Sequence, residues 1–219
     1  AFKGCCNFDT FIIDGEKEKV FIKDIGVSAL EECATGEECW GFSFGVDGGD
    51  YDAFSAITNI GDSAFFKMGR QGYNFDLEFP ETLVSIGKEA FKECNLSLEK
   101  IDFPSSLTEI KESAFEGCFG AFSFKTGLRK IGLNAFKNCV FYNTEFSGGE
   151  SSYYADVNLP EGLERVEDSA FEGAGYKKII LPNTLTYIGY SAFSSGRVEG
   201  TLHIPKNVEF LGVASFSDN

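Results

Sequence analysis

The sequence predicts a repeat solenoid, in which one short parallel strand per repeat of roughly 23 residues builds a curved sheet, with short helical or 3-10 turns and loops on the other sides. Three observations predict this fold: a hexapeptide that recurs along the chain, prolines that share one position of the repeat, and cysteines that share another. A single repeat of this size cannot bury its own apolar residues, so we expect neighbouring repeats to stack around one continuous core.

The recurring hexapeptide has the form Ile-Gly-x-x-Ala-Phe, as in "IGDSAF" and "IGKEAF". Six clear copies end at Phe65, Phe91, Phe115, Phe136, Phe171 and Phe193. Weaker copies end at Leu30 and Phe216, and the spacings from Phe65 to Phe216 are 26, 24, 21, 35, 22 and 23 residues. Such a period is typical of leucine-rich and related solenoids, and we predict that the repeated phenylalanines form the repeat core.

The prolines mark the end of the predicted strand. All five stand three residues before an apolar residue: Pro80, Pro104, Pro160, Pro182 and Pro205. A short apolar alternation such as "KIDF" or "DVNL" precedes most of them, as is typical of a strand with one buried face. Proline ends such a strand because it has no N–H to donate and its φ angle is fixed. Two apolar residues three apart then return to the core, and the glycine that often follows permits a tight bend.

Most of the seven cysteines form a column. Five of them lie three residues after the repeated phenylalanine or its leucine substitute: Cys5, Cys33, Cys94, Cys118 and Cys139. We interpret them as stacked buried thiols, because free cysteine behaves as a small apolar residue. Cys6 and Cys39 lie outside the column, and an oxidising compartment would allow either to pair with a neighbour. A spacing of a whole repeat does not suit a structural zinc site, which favours close Cys-x-x-Cys pairs, so we expect no metal.

The combined pattern, "LPxxLxxIGxxAFxxC", resembles the leucine-rich repeat of the BspA-like (Treponema-type) family, which occurs in surface proteins of bacteria and some protists. The resemblance is strong over residues 57–219 and weak over residues 1–56. It implies a leucine-rich-repeat-like solenoid and a secreted or cell-surface protein that adheres to host proteins or other cells. The consensus positions are core residues and identify no binding residue. Lys125 in place of proline, and Ala174 and Gly196 in place of cysteine, depart from the pattern.

No break in the repeat pattern resembles a linker. We therefore predict a single leucine-rich repeat solenoid domain over residues 1–219, with insertions near 34–56 and 140–156. The two termini fall at nearly the same position of the repeat, which predicts either a piece of a longer protein or open ends through which the chain associates with itself end to end. Neither a signal peptide nor an apolar run of about 18 residues is visible, which predicts no membrane insertion.

The chain is acidic, since 19 basic and 34 acidic residues give a formal net charge of −15. A nucleic-acid-binding surface is typically basic, and anionic membranes attract basic segments, so this charge argues against both as partners. The acidity favours the solubility of an extended surface, and it would also attract a basic partner or Ca²⁺.

Catalytic chemistry has little support in the sequence. The only histidine is His203, and strand alternation in "LHIP" directs Leu202 and Ile204 inward and His203 outward, as for a surface residue rather than an activated base. Acidic pairs such as Glu37 and Glu38 arise freely in so acidic a chain and do not indicate a glycosidase. No glycine-rich loop follows a strand as phosphate binding requires, so we predict a protein that is not an enzyme and has no cofactor.

Two kinds of surface are candidates for binding. The first is the outward face of the predicted strands, which includes Lys178, Ile180 and His203. The second is the pair of insertions, because protein or glycan contacts tend to use aromatic residues that the fold itself does not require. The aromatic candidates are Trp40, Phe42, Tyr51, Tyr142, Tyr153 and Tyr154. The alternatives are a merely solvated sheet face and rings that fold back onto the flank of the solenoid.

Two further motifs bear on surface chemistry. Asp47, Asp50 and Asp52 resemble a calcium loop only in clustering side-chain oxygens, since the EF-hand spacing is absent. Asn95 begins a glycosylation sequon, which matters only in a secreted eukaryotic protein. We predict an extracellular or cell-surface adhesion module that recognises a protein or glycan ligand. The alternative is a structural subunit that assembles end to end into a filament or layer.

Overall fold

The structure, a computed structural model, describes residues 22–33, 42–43, 56–68, 75–76, 79–94, 100–142, 154–196 and 198–219. The regular structure of these residues consists of short β-strands that pair in parallel. The strands are β1 (Asp24–Ile25), β2 (Phe42–Ser43), β3 (Asn59–Ile60), β4 (Phe75–Asp76), β5 (Ser85–Ile86), β6 (Lys100–Asp102), β7 (Glu109–Ile110), β8 (Phe119–Ser123), β9 (Lys130–Ile131), β10 (Val140–Phe141), β11 (Asp156–Asn158), β12 (Arg165–Val166), β13 (Lys178–Ile180), β14 (Tyr187–Ile188) and β15 (Phe210–Leu211).

Eight of the strands form one parallel sheet in the order β1-β3-β5-β7-β9-β12-β14-β15. Each has two residues, and in all but β15 the second residue is buried while the first is more exposed. In β7, for example, Glu109 points outward and Ile110 is fully buried. Each repeat forms one turn of the solenoid, called a coil. Hydrogen bonds join successive coils, as when the Gly61 N–H donates to the Ile25 carbonyl oxygen of the preceding coil. The predicted fold class, a parallel solenoid of stacked coils, is confirmed.

The remaining strands form smaller sheets, with the orders β10-β8-β6, β11-β13 and β2-β4. Of these, β4, β6, β11 and β13 lead toward a proline, and β8 leads toward Lys125. Many repeats therefore carry two strands, whereas the sequence patterns indicated one. The two-residue strands form the continuous sheet because the insertions, near 34–56 and 140–156, occur in a part of the repeat that does not include these strands. The insertion at 140–156 separates β10, which pairs with β8, from β11, which pairs with β13, and it leaves β9 paired with β12.

The hexapeptide and the residues after it form consecutive β-turns instead of the helical turn that their spacing suggested. The Ala90 N–H donates to the Gly87 carbonyl oxygen, and the Cys94 N–H donates to the Phe91 carbonyl oxygen. Every second N–H group bonds instead to the following coil, as when the Phe91 N–H donates to the Ala114 carbonyl oxygen at 2.8 Å. Backbone donors thus alternate between closing their own turn and joining the next coil, and the segment satisfies its hydrogen bonds without a helix.

Residues with a positive φ angle produce this alternation, because a left-handed residue reverses the direction of the adjacent peptide group. They stand two residues before and two residues after the repeated phenylalanine. Fourteen of those described are not glycine: Ser28, Glu32, Ser63, Lys67, Glu89, Glu93, Ser113, Asn134, Asn138, Ser169, Ser191, Ser195, Ala214 and Asp218. Gly117 and Gly173 occupy the second position in two repeats. Because such angles are uncommon in residues other than glycine, the hydrogen bonds between coils must hold them in place.

The repeated phenylalanines form the phenylalanine stack, a column of parallel rings along the core: Phe65, Phe91, Phe115, Phe136, Phe171, Phe193 and Phe216. Successive ring centroids are 4.8 to 5.4 Å apart, and the ring planes lie within 14° of parallel. Rings such as Phe103 and Phe122, from the segments near the prolines, meet the stack edge-on. Both arrangements are favourable for aromatic pairs beyond the burial of their surface.

The repeated prolines begin a β-turn in each of their coils. The proline carbonyl oxygen accepts the N–H of the apolar residue three positions later, at 3.0 to 3.2 Å. Pro104, Pro160 and Pro182 are buried, and Pro80 and Pro205 are half-buried. The Lys125 carbonyl oxygen accepts the Leu128 N–H at 3.3 Å in the same way. The turn therefore forms without proline, which contributes its fixed φ angle.

The cysteine column forms hydrogen bonds between coils. Its described members are buried: Cys33, Cys94, Cys118 and Cys139. The other cysteines lie outside the described residues: Cys5, Cys6 and Cys39. The Cys118 Sγ–H donates to the Phe91 carbonyl oxygen of the preceding coil at 2.7 Å, and Cys94 makes the same bond one coil earlier. Burial raises the pKa of both thiols, so they remain protonated donors. Asn219 stands at the same position of its own coil and donates its amide to the Phe193 carbonyl oxygen at 2.8 Å.

We expect Cys94, Cys118 and Cys139 to react with iodoacetamide at least about 100-fold more slowly than an exposed cysteine, because the core must open locally before the thiol can ionise. Timed labelling of the native protein followed by peptide mass spectrometry measures each rate. A Lys206→Cys variant supplies the exposed reference, and the protein unfolded in guanidinium shows that every site can react. Rapid labelling of Cys118 in the native state would contradict the buried column.

Candidate binding surfaces

The first candidate surface is a groove beside β13, called the β13 groove, with a volume of about 250 Å³. It is lined by residues that include Lys178, Ile180, Val198, Glu199, Thr201 and His203. Strand alternation places Lys178 and Ile180 outward and buries Ile179 between them. The structure therefore brings together three residues that the sequence had singled out on different segments, Lys178, Ile180 and His203.

The segment that carries His203 does not continue the sheet, although the sequence predicted a strand in it. The Glu199 N–H donates to the Lys177 carbonyl oxygen at 2.9 Å, and beyond this bond the segment is not in a strand. Leu202 still packs against the core, but Ile204 is 42% exposed. The prediction that Ile204 faces the core is wrong, because alternation holds only where strand pairing fixes the direction of each side chain.

The second candidate surface is the base of the insertion at 140–156. An antiparallel bridge between Tyr142 and Tyr154 closes this base. The Tyr154 ring lies against Gly175, where an added Cβ would be 2.6 Å from the Cε1 atom of the ring. The Tyr142 and Phe119 rings stack with their centroids 6.3 Å apart. Tyr154 therefore packs on the flank of the solenoid, while Phe119 leaves 40% of its surface exposed beside Tyr142.

Several residues singled out in the sequence lie outside the described residues: Trp40, Asp47, Asp50, Tyr51, Asp52, Asn95 and Tyr153. Phe42 lies in β2, where it pairs with Phe75 of β4. What the sequence predicts of their contacts with a ligand stays a prediction.

The third surface is the outward face of the eight-stranded sheet, which the sequence patterns did not indicate. Its central line, called the sheet row, consists of the first residue of each strand: Asp24, Asn59, Ser85, Glu109, Lys130, Arg165, Tyr187 and Phe210. The sheet row begins with polar and acidic residues, carries both charges in its middle and becomes aromatic at β14 and β15. A regular scaffold therefore presents three different chemistries along one face.

The middle of the sheet row is a series of ion pairs. Lys130 Nζ is 3.0 Å from Glu109 Oε1 and 3.8 Å from Glu167 Oε1. Arg165 Nε is 3.1 Å from the same Glu167 oxygen. A groove of about 480 Å³ beside these pairs is also lined by charges of both signs. Exposed pairs of this kind contribute little to stability, and their opposite charges leave only a weak field for a charged ligand.

The end of the sheet row forms the aromatic patch, defined as Tyr187, Tyr190 and Phe210. The Tyr187 and Phe210 rings are stacked, with centroids 4.6 Å apart and planes 8° apart. The Tyr190 ring stands nearly perpendicular to Phe210 at 5.8 Å and is part of a side chain that is 48% exposed. The Arg165 guanidinium lies 3.8 Å from the centre of the Tyr187 ring, on the side of the preceding coil. The Tyr190 N–H donates to Asp168 Oδ1 at 2.8 Å.

The aromatic patch lies in a negative environment. Burial raises the pKa of the Tyr187 hydroxyl, and the carboxylates of Asp168 and Glu167 raise it further. The signal for the patch in the sequence is "TYIGY", which sets Tyr187 and Tyr190 on either side of a core isoleucine. Aromatic rings next to carboxylates offer a ligand apolar contact and hydrogen-bond acceptors at the same place.

Within the described ranges, no group of three or more His, Cys, Asp or Glu side chains is placed to hold a metal ion. The same part of the chain includes no helix that is long and apolar enough to cross a membrane. His203, the only histidine of the sequence, is exposed at the β13 groove.

Comparison with known proteins identifies the repeat. The model of the family described as BspA type leucine rich repeat region matches residues 50–152 and 145–219, with six copies. Among solved structures, the chain is similar to a leucine-rich repeat protein from Bacteroides ovatus ATCC 8483, at 15% identity and a TM-score of 0.39, over all of this chain and 72% of that one. Among curated proteins no significant match was found. Because the family model covers most of its length, the chain belongs to the BspA-type leucine-rich repeat family, whose repeats are generally non-enzymatic modules for protein binding or surface adhesion.

Proposed function

We propose that the chain is an extracellular or cell-surface adhesion module that recognises a protein or glycan ligand through the β13 groove. The observation that carries this proposal is the grouping of Lys178, Ile180 and His203 around one groove. An ammonium group, an exposed aliphatic side chain and an imidazole ring supply the charge, the apolar contact and the hydrogen bonding that specific recognition uses.

Ile180 is the apolar centre of the proposed contact. It is 55% exposed, although it is a large aliphatic residue. A single exposed apolar residue is ordinary, but Ile180 shares its groove with Val198 and is surrounded there by Lys178, Glu199 and His203. An apolar centre with a polar rim is the usual arrangement of a binding surface, which supports the assignment of the groove.

The insertion at 140–156 leads into the same flank of the solenoid. Its last described residues, from Tyr154 onward, enter β11, and β11 pairs with β13. The end of the insertion and the β13 groove therefore lie on opposite sides of β13, and a ligand that extends across this strand would reach both. For this reason we include Tyr142, Tyr153 and Tyr154 in the proposed contact surface.

The proposal is tested by applying the purified protein to a glycan array and to immobilised extracellular-matrix proteins, with an Ile180→Asp variant beside the unaltered chain. We expect at least one immobilised ligand to bind. We expect Ile180→Asp to weaken this binding at least about 10-fold, equivalent to about 1.4 kcal/mol, because a carboxylate would lose the apolar contact and be desolvated. The matched control is Val84→Asp, which places the same charge at an exposed aliphatic residue beside β5, on a different sheet.

Equal loss of binding in Ile180→Asp and Val84→Asp would overturn the assignment of the groove, because it would indicate a general effect of added negative charge. Undiminished binding by Ile180→Asp would overturn it as well. The surface location is tested separately, by antibody labelling of intact source cells before and after protease treatment. We expect labelling that protease removes, and labelling that requires permeabilised cells would contradict the proposed location.

A further inference from the structure

The aromatic patch already holds one guanidinium group, that of Arg165. The group lies 3.8 Å from the centre of the Tyr187 ring, and its Nε is 3.1 Å from a Glu167 carboxylate oxygen. A ring face and a carboxylate are the two partners that a planar cation uses, through cation–π attraction and charge-assisted hydrogen bonds. The contact of Arg165 with Tyr187 and Glu167 is therefore an example, within this chain, of how the aromatic patch can bind a guanidinium group.

Carboxylates outnumber cations around the aromatic patch. Glu164, Glu167, Asp168 and Glu209 accompany three cations. Arg129 lies 3.9 Å from Glu164, and Lys130 and Arg165 lie 3.8 and 3.1 Å from Glu167. These four acids and three bases carry a formal charge of −1, and Asp168 and Glu209 lie outside these ion pairs. The whole chain adds to the local field with its formal charge of −15. A positively charged ligand is therefore the one that the patch attracts.

Ring geometry favours a guanidinium over a sugar as the ligand. Both faces of the Tyr187 ring are covered, by Arg165 on one side and by Phe210 on the other. A ligand that stacks on Tyr187 would have to displace one of them. Tyr190 is the most exposed ring of the patch, and its backbone is bonded to the Asp168 carboxylate. A guanidinium beside Tyr190 can therefore combine a ring contact with a nearby carboxylate, as Arg165 does.

We propose that the aromatic patch, together with Asp168 and Glu209, is a docking site for an arginine-rich segment of a partner protein. Guanidinium groups of the segment lie against Tyr190 and Phe210 and donate hydrogen bonds to the two carboxylates. Arginine fits better than lysine because its planar group stacks and donates in one plane, whereas an ammonium group is a strongly hydrated point charge. The site is separate from the β13 groove, because it lies on the eight-stranded sheet, and its test does not depend on the function proposed for the groove.

The test uses three labelled nonapeptides that differ only in carrying arginine, lysine or citrulline at the same positions, with binding followed by fluorescence anisotropy. We expect the arginine peptide to bind and the lysine peptide to bind at least about threefold more weakly. Citrulline keeps the planar shape without the charge, so its peptide should bind at least about 30-fold more weakly. Raising the salt from about 50 to about 200 mM should weaken the arginine peptide severalfold, because salt screens exposed charges. Absence of binding by the arginine peptide, or equal binding by the citrulline peptide, would overturn the proposal.

Two variants and two matched controls locate the site. Tyr190→Ala should weaken the arginine peptide about 10-fold and Glu209→Gln about threefold. Both side chains are exposed, so the fold should be retained, which circular dichroism checks. Phe119→Ala and Asp62→Asn remove an exposed ring and an exposed carboxylate elsewhere and should leave binding unchanged.

Equal weakening by the variants and the controls would indicate attraction to the acidic chain as a whole, which overturns a defined site. A neutral hexasaccharide in the same assay tests whether the aromatic patch binds glycans instead. If it binds in a Tyr190-dependent manner while the arginine peptide does not, the aromatic patch is a glycan site and the proposal fails.

Discussion

Replacement of Phe115 by alanine is expected to lower the free energy of unfolding by about 3 to 5 kcal/mol. Phe115 is fully buried in the phenylalanine stack, with the Phe91 ring 5.1 Å away on one side and the Phe136 ring 5.4 Å away on the other. The Phe103 ring meets it edge-on at 5.2 Å. Loss of the ring therefore removes contacts with both neighbouring coils and leaves a cavity that the rigid turns cannot close.

Urea unfolding followed by circular dichroism measures this change. The matched control is Phe119→Ala, which removes the same ring from a position that is 40% exposed and should cost less than about 1 kcal/mol. Because each coil of a repeat protein is stabilised by its nearest neighbours, the Phe115 variant should also broaden or divide the transition. A loss for Phe115→Ala no larger than that for Phe119→Ala would show that the stack is not the main source of stability.

Replacement of Gly162 by alanine is expected to lower the free energy of unfolding by about 3 kcal/mol, from backbone strain and steric overlap together. Gly162 has a φ angle of 102°, which residues with a Cβ rarely adopt. An added Cβ would lie 2.9 Å from the Thr126 carbonyl oxygen of the preceding coil and 2.8 Å from Arg129 Nη1. The Gly162 N–H is also fixed, since it donates to Thr184 Oγ1 at 2.9 Å.

Two other glycines separate the strain from the overlap. Gly200 has a φ angle of 83° but no atom within 4 Å of an added Cβ, so Gly200→Ala should cost only about 1 kcal/mol. Gly26 has neither a positive φ angle nor a neighbour within 4 Å, and Gly26→Ala should change stability by less than about 0.5 kcal/mol. Thermal or urea unfolding of the three variants gives the comparison. Equal losses of unfolding free energy for Gly162→Ala and Gly200→Ala would mean that the steric overlap adds nothing to the strain, because the preceding coil moves away from the added Cβ.

The fold class could be predicted because its signals lie in side chains that recur once in every coil. The phenylalanine, proline and cysteine positions each return with the repeat, and their stacking requires a parallel solenoid. The continuous sheet could not be predicted in the same way. Its strands have two residues, which is too short for an alternation of exposed and buried side chains to be visible. The longer alternations, such as "KIDF", drew attention to the smaller sheets instead.

The consecutive turns escaped prediction for a different reason. A positive φ angle usually leaves a trace of glycine or asparagine, but here serine, glutamate and lysine fill most of these positions. The hydrogen bonds between coils impose the conformation, and single residues do not reveal it. The spacing of the buried residues therefore resembled one helical turn, although the backbone closes a series of β-turns.

The candidate surfaces were predictable only where a strand fixed side-chain direction. Lys178 and Ile180 face outward from β13, in accord with alternation, whereas Ile204 lies in a segment that is not in a strand. Tyr187 and Phe210 are neighbours in space because β14 pairs with β15, a contact between residues one coil apart. A sequence read without that register gives no reason to place these two rings together.

The hydrogen bonds between coils do not all run in one direction. In the consecutive turns the N–H groups that join coils point to the following coil, as from Phe91 to Ala114, whereas N–H groups beside the two-residue strands, such as that of Gly61, point to the preceding coil. The dipoles of these peptide groups oppose each other in part, unlike those of an α-helix, whose aligned peptides give its ends partial charges. Each added coil therefore adds less to the electric dipole of the solenoid than a run of aligned peptides would, so gene duplication can add or remove a coil at a small electrostatic cost.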